Sequence, residues 1–257
     1  MNSNFVCAAG GNERMDAGNH FKNGESSKSL MSRRHFLVAA CFALLAVFFV
    51  GCSKDDDGGD DGGGTGNVGS NTQITGKIEN ASQFSDVKKV KLLADSDDEN
   101  DVVVEADFKS DGAFTVNLPK PVAAKHLVRV GEYMGDMTGV TVSNNNAKVL
   151  WIFEVWGFDA SNERVAYFWF GKENSNTNTA LCWFYTDSNV TISGTYTDID
   201  EEYDEDYSAT FALDLKTGWN VVYYTSTRTT QGGRHLIREE VNHKAVSGLK
   251  WIAESWK

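Results

Sequence analysis

From residue 72 onward the chain is written in short runs in which apolar and polar positions alternate or β-branched residues crowd together. QITGKIEN (73–80), VKKVKLLAD (87–95), VVVEADF (102–108) and AFTVNLP (113–119) carry this patterning, which marks strands that turn one face to a core. KSDG (109–112), between the last two, predicts a hairpin turn. A second set begins near Ala147: KVLWIFEVWGF, RVAYFWFG, ALCWFYTD, NVTISGTYTD, YSATFALDL, GWNVVYYTST and GLKWIAESW. Clusters of Asn, Asp, Gly and Ser separate the runs, and the chain has two prolines. The pattern predicts an all-β domain over 72–257, an antiparallel β-sandwich of about ten strands, with two small packed β-units as the alternative. Only the segment around His235 competes as a helix.

Two runs break one-faced alternation. In RVAYFWFG, Val165, Tyr167 and Trp169 point one way while Ala166, Phe168 and Phe170 point the other. In LCWFY, Leu181, Trp183 and Tyr185 oppose Cys182 and Phe184. A sandwich sheet needs one apolar face, so either a further layer covers these strands or a face of aromatic rings meets a ligand. All seven tryptophans follow residue 150. Trp156, Trp169 and Trp183 are the candidates for stacking on sugar rings, with a polysaccharide or a surface protein as partner, and burial in the core is the competing expectation.

The first 71 residues follow other rules. Residues 1–30 are polar and patternless, with nothing that forms a core. Met31 opens MSRRHFLVAACFALLAVFFVGC, where Arg33 and Arg34 make a basic start, Phe36 to Val50 an unbroken apolar stretch, and Gly51 a small residue before Cys52. This layout predicts a secretory signal over 31–51. A spanning helix needs roughly 20 apolar residues, so an uncleaved signal anchor is the weaker alternative. A basic region of more than thirty residues is unusual in such signals, which points to Met31 as the start of translation. After Cys52, SKDDDGGDDGGGTGNVGSN cannot bury apolar surface and repels itself, so 52–71 is expected to be a disordered tether.

FVGC (49–52) resembles a bacterial lipobox, with Phe49 where Leu is usual. The resemblance implies lipidation of Cys52 and attachment to a membrane through acyl chains, two or more of which make binding stable. SRRHFL (32–37) also resembles a twin-arginine export motif, with Val38 where that family has Lys, although the very apolar stretch favours the general secretory route. With a solvated spacer as the alternative, Ser53 and Lys54 followed by Asp55, Asp56 and Asp57, just after Cys52, resemble the surface-export tag of Bacteroidota lipoproteins. That implies an outer-membrane anchor with the domain exposed at the cell surface, the periplasmic face being the alternative. ITGKIEN with DGAFTVNLP resembles the opening strands of transthyretin-like or carboxypeptidase-regulatory-like sandwiches. LKTGWNVVYY with GLKW resembles the closing strands of small Bacteroidota lipoproteins of unknown function.

Chemistry-bearing residues are sparse. A net charge of −12 and the lack of a clustered basic patch argue against nucleic acid, whose phosphates require one. With Cys7 and Cys41 in segments expected to be removed and Cys52 lipidated, Cys182 is left alone as a small buried hydrophobe. No nucleophile elbow, zinc-protease, phosphate-loop or dinucleotide motif occurs. His235, Glu239 and His243 share a helical face, yet the two histidines lie roughly 12 Å apart on a helix, too far for one zinc. No cofactor is expected, and calcium is the weak alternative. DSDDENDVVVEA (95–106) begins like an EF-hand loop but has Asn100 for the sixth-position glycine and Ala106 for the final glutamate. DIDEEYDED (198–206) offers a second acidic loop. These observations predict a binding or structural role; a glycan-binding module and a hydrolase assembled from distant strands are the alternatives.

Overall fold

The computed structural model describes residues 72–256. Along them lie β1 (Gln73–Lys77), β2 (Lys89–Leu93), β3 (Val102–Asp107), β4 (Ala113–Asn117), β5 (Val128–Arg129), the short helix α1 (Val130–Met134), β6 (Val140–Val142), β7 (Lys148–Ile152) and β8 (Val155–Phe158). There follow β9 (Arg164–Glu173), β10 (Thr177–Thr186), β11 (Val190–Asp200), β12 (Glu205–Leu215), β13 (Gly218–Gln231), β14 (Arg234–Asn242) and β15 (Lys250–Ser255). The fold is an all-β sandwich. β1 and β4 form a two-stranded sheet, and the other thirteen strands form one large sheet whose main path is β3-β2-β8-β9-β10-β13-β14-β12-β11-β6.

The large sheet is built on two hairpins that splay. β9 and β10 pair near their turn, from Phe170–Leu181 to Glu173–Asn178. Beyond that point β10 takes β7 as its neighbour and β9 takes β8. KVLWIFEVWGF is therefore one apolar run broken at Phe153 and Glu154, and its two halves serve different parts of the sheet, as strands do at sandwich corners. β12 and β13 likewise diverge from a tight connection, and β14 enters between them, antiparallel to β13 but parallel to β12. This parallel pair corrects the expectation of a wholly antiparallel sheet. At the apex of the wedge His243 Nε2 accepts the Asp214 N–H at 3.2 Å and Nδ1 donates to the Val221 carbonyl at 3.0 Å. The imidazole thus closes the backbone of β12 and β13 where β14 ends.

Both faces of the central strands are covered, and this explains the two-faced runs. Leu181, Trp183 and Tyr185 join Ile74, Phe114, Val116, Phe168 and Phe170 in one buried cluster, which includes β1, β2 and β4. Ala180, Cys182 and Phe184 join Trp169, Val190, Ile192, Leu213 and Met134 in the other. The first cluster is shared by the N-terminal strands and the tryptophan-rich strands, and β2 is hydrogen-bonded to β8 in the large sheet, so one continuous sheet and core stand in place of two small packed β-units. Packing is close enough to specify glycine at residue 76: a Cβ there would lie 2.2 Å from Phe114 Cζ and 2.8 Å from Trp251 Cε2.

Three local expectations change. KSDG does turn, with Gly112 at φ +82° and its N–H donating to the Lys109 carbonyl at 2.9 Å. However, β3 and β4 meet only at the Phe108–Phe114 bridge, and β4 then leaves for β1. The two phenylalanine rings, stacked at 6.3 Å and both packed on Phe168, draw this corner into the core. Residues 234–242 form a strand, since the parallel and antiparallel partners offer that segment two ladders. Fifteen strands replace about ten because breaks such as Phe153–Glu154 divide single runs.

Candidate functional site

The polar groups that the fold brings together lie on the face of the large sheet that carries the second cluster. Direct cross-strand partners project to the same side, so the pairings Ala180–Tyr224, Tyr224–Val241 and Glu239–Ala209 place Tyr224 and Glu239 together on this face. Tyr207 of β12 donates its hydroxyl to Glu239 Oε2 at 2.6 Å, and Tyr224 of β13 donates to Oε1 at 2.5 Å. Phe153, from the break between β7 and β8, meets the Tyr224 ring edge-on at 5.5 Å. Tyr196 of β11 packs against Tyr207 with ring centroids 6.2 Å apart. Burial, then the Glu239 charge, pushes both phenols far above their ordinary value. They therefore stay protonated and act as donors, fixing a carboxylate in a defined orientation.

A second node sits on the same face. Tyr167 donates its hydroxyl to Glu254 Oε2, and the Trp169 indole N–H reaches Oε1 at 3.4 Å. Partial burial, then the charge of Glu254, raises the Glu173 carboxyl above its ordinary range. Three glutamates, Glu239, Glu254 and Glu173, thus line one aromatic-rich face.

The tryptophans proposed for sugar stacking are not available for it. Trp156, Trp169 and Trp183 are 3%, 4% and 4% exposed, because strands and loops cover the sheet on both sides. Trp156 is enclosed by the Arg164 guanidinium at 4.2 Å and the edge of Trp256 at 5.2 Å. Trp183 stacks on Trp251 at 6.2 Å. Sugar stacking on these three rings is therefore corrected to core packing.

Cys182 is buried, and burial pushes its thiol pKa up. His235 and Glu239 lie on the extended strand β14 and His243 directly follows its end, so the outer two are roughly 26 Å apart. Their side chains go to separate partners: Thr230 at 3.2 Å, the two tyrosines, and the β12–β13 apex. His126 pairs with Asp101 at 2.7 Å. In 95–106 the positions after Asp101 are strand β3, not loop. Among the described residues no group of three or more His, Cys, Asp or Glu is placed to hold a metal ion. In 198–206 a side-chain cation already sits among the acids: Arg234 donates to Asp206 at 2.7 and 2.9 Å and to Glu201 at 3.1 Å, and lies 3.5 Å from Asp204.

The extension 1–30, the signal 31–51, Cys52 and the acids Asp55, Asp56 and Asp57 lie outside the described residues. No protein-family model, curated protein or solved structure matches this chain.

Proposed function

We propose that this protein is a lipid-anchored, extracytoplasmic β-sandwich lipoprotein that binds or scaffolds at the outer face of the cell envelope. The observation that carries this reading is FFVGC at the end of an apolar stretch, followed at once by acid and glycine. The direction of the strands then says which end of the domain would face outward. Thr72, the first described residue, accepts a hydrogen bond from Leu118 N at 2.7 Å, and Pro119 accepts one from the Trp219 indole at 2.8 Å. The described chain therefore begins at the end of the domain at which β13 starts. At the other end of β13, about 40 Å away at roughly 3.3 Å per residue, lie the turns of the β9–β10, β11–β12 and β13–β14 hairpins. Backbone hydrogen bonds join them, from Arg228 to Asn176 at 2.8 Å and from His235 to Asp204 at 2.7 Å. Anchored through Cys52, the domain would present these turns away from the lipid. Cys52→Ala should abolish incorporation of a labelled fatty acid and leave the precursor uncleaved; label retained in that variant contradicts the reading.

The oriented carboxylates favour a second reading, in which a glycan is bound through hydrogen bonds to Glu239 and Glu254 in place of tryptophan stacking. Glu239→Gln, which keeps the shape but removes the charge and one of the two tyrosine acceptors, should then weaken retention on a soluble polysaccharide gel while the protein still unfolds cooperatively. Unchanged retention removes this reading.

A further inference from the structure

The membrane-distal end of the sheet carries a feature that core and ladder do not explain. Two large hydrophobic side chains are exposed among the described residues, Ile199 at 63% and Tyr203 at 44%. Both belong to one hairpin, β11–β12. Single exposed apolar residues are ordinary, but here one near the end of β11 and one in the turn that follows it stand exposed at the same end of the sheet, far from Thr72.

The turn is held firmly. Asp200 Oδ1 accepts the N–H groups of Glu202 and Tyr203 at 3.0 and 3.2 Å. Asp204 takes a left-handed φ of +52°, and its carbonyl receives the His235 N–H. Arg234 ties Asp206, Glu201 and Asp204 to the start of β14. The ladder below is continuous, with β12 paired to β11 and β14 along its upper length. A contact on such a turn loses little conformational freedom on docking, which is what preserves affinity in a small interface.

Charge decides the partner. Residues 198–206 contain seven acids and no base. Arg234 pairs with Glu201, Asp204 and Asp206 and Glu205 is buried, while Asp198, Asp200 and Glu202 add three further acids to the same hairpin end as the two apolar side chains. We propose that this turn is a docking tip for a basic protein surface, Ile199 and Tyr203 entering an apolar hollow rimmed by Lys and Arg. An acidic rim excludes nucleic acid and anionic lipid headgroups and steers a basic partner. The inference rests on the lipoprotein reading only for the direction in which the tip faces.

The test places the photoreactive residue p-benzoylphenylalanine at 199 in the full chain in intact cells, with the same residue at Thr195 on the same strand as control. The expected result is one discrete protein adduct from position 199, absent from 195, whose cross-linked peptide is rich in Lys or Arg. Combining Asp198→Asn, Asp200→Asn and Glu202→Gln keeps the turn's acceptors and should reduce the adduct about tenfold, as should raised salt, since exposed charges are screened. No adduct, an equal adduct from 195, an adduct on glycan or lipid, or one indifferent to the neutralised variant would overturn the proposal. Membrane fractionation of the same cells reports the anchor separately, so loss of anchoring is distinguished from failure of the tip.

Discussion

Arg234, at the start of β14, holds Asp206, in the second residue of β12, through Nε and Nη2 at 2.9 and 2.7 Å, across the parallel pairing of the two strands. A parallel ladder has no hairpin turn of its own to fix its register, and here a side chain does that task at the point where both strands begin. The same guanidinium reaches back to Glu201 and Asp204, so it also joins the turns of two neighbouring hairpins.

Arg234→Gln should therefore loosen 198–206 while leaving the core intact. Hydrogen exchange at Glu202 to Asp206 should quicken and proteolysis should move to that turn, with little change in melting temperature. Exchange unchanged at those amides would show that the backbone ladder alone holds the turn.

Trp169 and Trp183 occupy opposite faces of the large sheet, one in each buried cluster. Truncating either to Ala should cost about 3 to 5 kcal/mol, a large part of a domain's usual margin of about 5 to 15. Denaturant unfolding followed by circular dichroism measures it. A variant as stable as the parent would mean that ring is not part of the core.

Cys182 sits under Trp151 and Tyr133 in the second cluster, with its thiolate disfavoured by burial. Ellman's reagent should leave it unmodified in the native protein and react fully after denaturation. Rapid native labelling would show that this layer opens.

Glu173 gives a pH signature. Its carboxyl is raised above the ordinary 4.5 by partial burial and by Glu254, so the folded state holds the proton more tightly than the unfolded chain. The charged form costs stability at neutral pH; that cost is relieved as pH falls through the folded value, and the relief is complete below about 4.5. Glu173→Gln should accordingly melt higher than the parent at pH 7, and the difference should shrink towards pH 4.5. A difference that grows in acid would reverse the assignment.

Much of the scaffold was legible in the sequence because alternation reports faces directly. ITGKI, AFTVN and the two-faced RVAYFWFG and LCWFY each take the strand that their pattern predicts, and the need for a layer on both sides of Tyr167–Phe170 follows from their composition. Pairing was not legible. Nothing local says that β14 enters the wedge between β12 and β13, because the ladders that place it come from residues 205–212 and 223–231. For the same reason the Glu239 node escaped detection: Tyr207, Tyr224 and Glu239 sit on three strands, and only register brings them together. The one available signal, tyrosines and a glutamate on core-facing positions of successive runs, requires knowing which strands are neighbours. Aromatic richness left two readings open, a covered core and a binding face, and the covering strands make it a core.

The lipoprotein account is tested most directly by the mass of the N-terminal peptide of the mature protein taken from membranes. A lipid-anchored protein begins at Cys52, with a diacylglyceryl thioether on the sulfur. A mature N-terminus upstream of Cys52, or a Cys52 with a free thiol, would contradict it.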